Sequence, residues 1–176
     1  MASSREYPER PLVGVGGVVI DAGRALLIRR ASEPLRGEWS IPGGMLELGE
    51  TLQAGVAREL LEETGLHVCV LDLIEVFERI VYAKNSSAIR DTTAGVPLKD
   101  IAPDEVVTGA RPRFHFVIAD YLCERISGEY AAASDVTDLE FAREDDLGRF
   151  HLTETALRIL HKAFAMHRAR SAVELQ

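Results

Sequence analysis

Arg58, Glu59, Glu62 and Glu63 fall within six consecutive residues, RELLEE, followed at once by Thr64 and Gly65. On a helix the three glutamates are related by steps of three and four, which brings them onto one flank. Like charges at that spacing repel by roughly 0.2–0.5 kcal/mol per pair. Two readings follow: a solvated helix end, or a seat for a divalent cation. Clustered carboxylates raise one another's pKa unless a positive charge neutralises them. A hard ion such as Mg²⁺ or Mn²⁺ suits all-oxygen ligands and leaves positions for water and substrate phosphates. Arg58 can reach Glu62 one turn on and hold it, while Gly43 and Gly44 free a backbone to approach the same place. Beside a diphosphate, a cation held this way supports hydrolysis: it polarises phosphoryl oxygens and acidifies a water whose proton a carboxylate takes.

The surrounding elements must position that cluster. Thr51 is a suitable N-cap and Gly65 a suitable stop for a helix over 52–64, with Ala54, Ala57, Leu60 and Leu61 as its expected apolar side. Gly55 inside it is a local misfit. Upstream, Leu12–Ile20 and Arg24–Arg30 read as two strands of a hairpin turning at Asp21-Ala22-Gly23. A polar loop leads to the short WSIP segment, and the chain is expected to run as a loop from Gly43-Gly44 to Glu50. Downstream, His67–Tyr82 reads as one long or two shorter strands, Arg113–Glu124 as a strand and Thr137–Arg143 as another. Leu152–Ala169 has the spacing of an amphipathic helix, used mainly for packing. The order, two strands, helix, three strands, helix, indicates an α/β fold with a mixed sheet between helices. The expected organisation is a flexible tail over 1–10, one domain over 11–170 and a short tail over 171–176. Within the domain, 83–112 is a long loop insertion with no sustained period.

Composition narrows the function. A formal net charge of −8 leaves no basic footprint for duplex nucleic acid or anionic membranes. A chain this acidic must recruit cations to meet a phosphate substrate. No apolar run approaches the roughly 18–20 residues of a membrane span, and the polar amino end lacks the apolar core of a signal peptide, so a cytoplasmic protein is expected. Cys69 and Cys123 form no CxxC pair and read as small buried hydrophobes. GVGGVV is not GxGxxG, no GxxxxGK[ST] loop is present, and the five histidines lack HExxH spacing.

The stretch from Gly44 to Leu66 resembles the signature of the Nudix hydrolases, G-x5-E-x7-R-E-U-x-E-E-x-G-U with U apolar. Gly44, Glu50, Arg58, Glu59, Leu60, Glu62, Glu63, Gly65 and Leu66 fill every fixed position. The resemblance implies an α/β/α sandwich with a mixed central sheet, and a loop–helix–loop that binds Mg²⁺ or Mn²⁺. Glu59, Glu62 and Glu63 would be metal ligands, Glu59 or Glu63 would double as the base, and the Gly43 carbonyl would complete the shell. Arg58 and Glu50 would orient the helix and loop, with Gly65 as the turn. A further acidic ligand from outside the box is expected at Asp135, with Glu129, Asp138 and Glu140 as competitors. Arg30 and Arg36 are the expected phosphate-binding cations, and Trp39 is expected to pack rather than to stack a base. The flanks LLIRR, EPLRGEWSIPGG, LGETL and FHFVIADYLC resemble the bacterial ADP-ribose pyrophosphatase-like branch. That implies hydrolysis of a nucleoside diphosphate derivative, ADP-ribose or a nucleotide sugar, and, by family analogy, a homodimer. The alternatives are a (deoxy)nucleoside triphosphate pyrophosphatase and a non-catalytic nucleotide-sensing module.

Overall fold

A computed structural model describes residues 5–31, 36–82, 111–132 and 136–174. Asp135 and positions 83–110 of the expected insertion lie outside them. The class is α/β: strands β1 (Leu12–Asp21), β2 (Arg24–Arg30), β3 (Trp39–Ser40) and β4 (Gly43–Met45), helix α1 (Leu52–Thr64), strands β5 (His67–Val81), β6 (Phe114–Ser127) and β7 (Val136–Arg143), then helix α2 (Glu154–Glu174). A 3-10 helix over Glu144–Phe150 leads into α2. Among the described residues the strands form one sheet in the order β3-β2-β1-β6-β5, with β4 added to β1 and β7 to β2.

The hairpin follows from its turn. Ala22 and Gly23 both have positive φ, 48° and 71°, the pattern of a two-residue turn whose twist matches the strands it joins. Ile20 then faces Ala25 and Asp21 faces Arg24. One expectation fails nearby. Gly43-Gly44 does not open a loop: Gly43–Met45 pairs antiparallel with Gly14–Gly16 of β1. Two near-bare glycines allow that approach, since a Cβ on Gly43 would strike the Val15 carbonyl and Gly16 Cα.

The described residues fall into two compact units. In one, Met1–Val13 with Phe77–Ile118, the Tyr7 amide donates to the Arg113 carbonyl at 2.7 Å and the Arg113 amide to Val81 at 2.7 Å. Arg113 also pairs with Glu6. The other, Gly14–Val76 with Ala119–Gln176, holds the main core. Val15 and Val19 of β1, Leu26 of β2 and Ala119, Tyr121 and Cys123 of β6 pack with Val56 and Leu60 of α1 and with Leu66. In the same unit α2 is tied to β5 through Glu75, which meets Arg158 at 2.8 Å and also Lys162, and through Asp72 with Arg170. Burial pushes the Glu75 carboxyl upward, but Lys162 and Arg158 outweigh it and hold it below its ordinary range. Among the described residues no helix is long and apolar enough to cross a membrane.

Two burial expectations are corrected. Cys123 is buried but Cys69 is exposed. The inward side of α1 is Gly55, Val56, Leu60, Glu63 and Thr64, whereas Leu61 is 41% exposed and Ala54 is exposed. Gly55 is no misfit: a Cβ there would come within 2.9 Å of Leu46 and 3.3 Å of Glu50, so the helix lies close against the preceding loop.

Asp120 on β6 is one of two buried acids among the described residues of this unit, 4% exposed like Glu63. Burial, and then the charge of Glu75, push the Asp120 carboxyl up from 3.8 to about 7. Its contribution to stability is therefore full below pH 3.8 and is lost as pH rises through about 7. Asp120→Asn should remove that loss. The variant's melting temperature should match the wild type near the acid end and exceed it by on the order of 5 °C above neutrality. Thermal melts of both proteins across that range test it, and parallel curves would refute it.

Candidate active site

The site begins with the caps of α1. Thr51 is extended and its hydroxyl accepts from the Ala54 amide at 3.1 Å, while Gly65 at φ 72° ends the helix with its amide on the Leu61 carbonyl. A side chain at Gly65 would meet the Glu129 carbonyl as well as the left-handed backbone penalty. These two ends set the rotation and length of the helix, and so the bearing of its carboxylates.

Arg58 gathers them. Its Nε donates to Glu50 Oε1 at 2.7 Å and Nη2 to Glu50 Oε2 at 3.0 Å, a forked pair. Nη1 donates to Glu59 at 2.9 Å and to Glu62 at 3.1 Å, and Nη2 also reaches the Met45 carbonyl at 2.9 Å. The Glu50 carboxylate raises the Arg58 pKa against the effect of burial. In return Arg58, then the Glu47 amide, holds Glu50 below the ordinary carboxylate range. The expected contact with Glu62 is present, and the contacts with Met45 and Glu59 join it.

Glu63 turns inward. It is 4% exposed, and its Oε2 accepts from the Gly43 amide at 2.8 Å. Gly44 faces Glu59 so closely that a Cβ would lie 2.5 Å from Oε1. Glu62 is half-exposed. The structure therefore brings Gly43, Gly44, Glu50, Arg58, Glu59, Glu62 and Glu63 together through Arg58 and the glycines of β4. Among the described residues, no three acidic, histidine or cysteine side chains already stand as a closed ligand set. The donors still fit a hard divalent cation. They are all oxygens, Glu59 fills a cradle that any side chain on Gly44 would close, and the acids exceed the one arginine among them.

The remaining candidates are placed differently. Arg30 ends β2 with its Nε buried and without a hydrogen-bond partner among the described residues. Arg36 is exposed in the turn before β3. Neither is joined to the carboxylates of α1 by an ion pair among the described residues. Trp39 packs edge-on against Phe150, with ring centroids 5.2 Å apart, as expected for a packing role. Glu129, Asp138 and Glu140 are exposed. Sequence reasoning passed over Asp120, whose one signal is an acid in the otherwise apolar run FVIADYLC.

Comparison with known proteins agrees with this geometry. A family model described as NUDIX domain matches residues 10–158. A MutT-like protein of Streptomyces ambofaciens is 39% identical over 118 residues, 60% of this chain and 75% of that protein. An ADP-ribose pyrophosphatase of Methanocaldococcus jannaschii is 32% identical over 131 residues, 74% of this chain; the match spans 61% of that relative, less than two thirds of its length. Among solved structures, a MutT NUDIX hydrolase from Burkholderia pseudomallei superposes with a TM-score of 0.61 at 26% identity, covering 88% of this chain and 98% of that one. The fold is thus the α/β/α sandwich with a mixed central sheet.

Lysine cannot reproduce a forked, five-donor guanidinium. Arg58→Lys should cost about 2 kcal/mol of stability, because Glu50 loses its forked partner and the Met45 carbonyl its donor. Urea denaturation measures it, and a wild-type midpoint would show that the hub contributes little.

Proposed function

The chain belongs to the Nudix hydrolases, and from that premise we propose that it is a metal-dependent pyrophosphohydrolase cutting the diphosphate of a nucleoside diphosphate derivative, with ADP-ribose or a nucleotide sugar as substrate. The observation that carries the proposal is the carboxylate set gathered by Arg58 and the Gly43-Gly44 pair of β4, an all-oxygen assembly with excess negative charge. Similarity to an ADP-ribose pyrophosphatase over 131 residues supports the choice of substrate.

In this reading Glu59, Glu62 and Glu63, with the Gly43 carbonyl, hold Mg²⁺ or Mn²⁺. Asp135 is proposed as the further acidic ligand. A bound divalent ion supplies charge neutralisation for the diphosphate and polarises its phosphoryl oxygens. The chain's own groups do the rest. Arg58 presets the carboxylates, so little reorganisation remains when substrate arrives. Glu50 anchors Arg58 to the loop before the helix. Glu59 or Glu63 takes the proton of the attacking water. Arg30, whose Nε has no partner among the described residues, and exposed Arg36 meet the phosphates. Water adds at one phosphorus and the bridging P–O bond breaks, giving a nucleoside monophosphate and a phosphorylated remainder. The catalytic domain is taken as 11–170, and family analogy supports a homodimer.

Glu59→Gln and Glu63→Gln should each lower kcat/KM by about 100-fold or more, with melting temperatures close to the wild type, since glutamine keeps an acceptor oxygen for Arg58 at position 59 and for the Gly43 amide at position 63. Chelation should abolish turnover, and Mg²⁺ or Mn²⁺ should restore it. Product identification on a panel of diphosphate compounds names the substrate. Release of inorganic pyrophosphate from nucleoside triphosphates would favour the triphosphate reading. Ligand binding without hydrolysis would favour the sensing one, and undiminished activity in both glutamine variants would sink the assignment.

A further inference from the structure

The glycines of β4 lie on β1 through backbone pairing. Gly43 and Gly16 are register partners, and the Gly17 amide donates to the Pro42 carbonyl at 3.0 Å. On Gly16 the place of a Cβ is taken by Asp120 Oδ1, with the Pro42 carbonyl 3.4 Å from that point. A continuous line of contact therefore runs from Asp120 to Gly16, from Gly16 to Gly43, and from the Gly43 amide to Glu63. Asp120 is almost wholly buried, and none of the roles proposed above uses it. Burying a carboxyl costs stability, so an apolar packing role alone is a poor reason to keep an acid here. A flat carboxyl can lie over a glycine backbone where the branched methyls of leucine cannot.

We propose that Asp120 is a positioning residue for the hydrolytic site: its planar carboxyl supplies the seat that Gly16 lacks and fixes β1, and through β1 the Pro42–Gly44 segment that enters β4, at the spacing from which Gly43 meets Glu63 and Gly44 meets Glu59. The inference rests on the metal-dependent reading of that site. It separates shape from charge: asparagine is equally flat and should serve as well.

The test uses two readouts on the full chain, Mn²⁺ affinity from the EPR signal of free Mn²⁺ without substrate, and steady-state kinetics at saturating metal. Asp120→Ala should weaken Mn²⁺ binding severalfold and lower kcat about tenfold with KM nearly unchanged, the effect of displacing a catalytic group by a fraction of an ångström. Asp120→Asn should stay within about twofold of wild type in both, and Gly16→Ala should lose as Asp120→Ala does. In the double variant Gly16→Ala/Asp120→Ala the new methyl occupies the space the carboxyl left, so both readouts should recover in part. Wild-type affinity and turnover in Asp120→Ala, an Asn variant as impaired as the Ala variant, or a double variant no better than the worse single would each overturn the proposal. If Asp120→Ala does not fold by circular dichroism, Gly16→Ala decides: the same loss supports the seat, and wild-type behaviour refutes it. A wild-type protein that binds no Mn²⁺ overturns the metal reading itself, a result distinct from all of these.

Discussion

The forked pair between Arg58 and Glu50, and the further bonds of the same guanidinium, are the interaction on which the site depends. One side chain reaches the loop at Glu50, the β4 strand at the Met45 carbonyl and the helix at Glu59 and Glu62. Three segments are thereby fixed in one frame. The pair is only partly buried, so water does not dissolve it as it would a surface ion pair, nor does desolvation cancel it as it would in a dry core. The sharing also explains the local composition. Glu50, Glu59, Glu62 and Glu63 carry four formal negative charges, and Arg58 returns one. That surplus is what the proposed divalent ion would relieve.

Backbone glycines set the distances that Arg58 then locks. Gly43 can lie on β1, and Gly44 can accept the Glu59 carboxyl against it, because neither carries a Cβ. Gly55 serves the same end from the helix side, letting α1 approach Leu46 and Glu50. A conformational-entropy cost of roughly 0.5–1 kcal/mol attends each glycine in a helix or strand. Close approach of charged groups to backbone is what is obtained in exchange, and no other residue type permits it.

Much of this was legible in the sequence because it is local. The Thr51 cap, the Gly65 stop, the Ala22-Gly23 turn and the spacing of the box residues depend on chemistry within a few positions, and the structure has them where expected. The buried side of α1 was not legible in this way. A charged flank suggests that the opposite flank is buried, yet Glu63 turns inward because the Gly43 amide, twenty residues away, offers it a donor. The exposure of Cys69 and the pairing of Gly43–Met45 with β1 failed for the same reason: both are set by tertiary neighbours that no sequence window contains. Asp120 is the extreme case, since its strand is legible and its place over Gly16 is not.

These features also bear on where stability is given up. A close-packed acid cluster, a helix glycine and a buried carboxyl each lower the stability of the fold taken alone. The acids fall along one line of contact, from Asp120 through Gly16 and Gly43 to the carboxylates of α1, with Gly55 against the adjoining loop. The apolar core beside them gives up a side chain too, at Gly17, where a Cβ would strike Leu60 and Val56. The acidic costs gather beside the proposed site, as that reading requires, because groups that would bind a cation and a diphosphate must be held where the fold alone would not choose to put them.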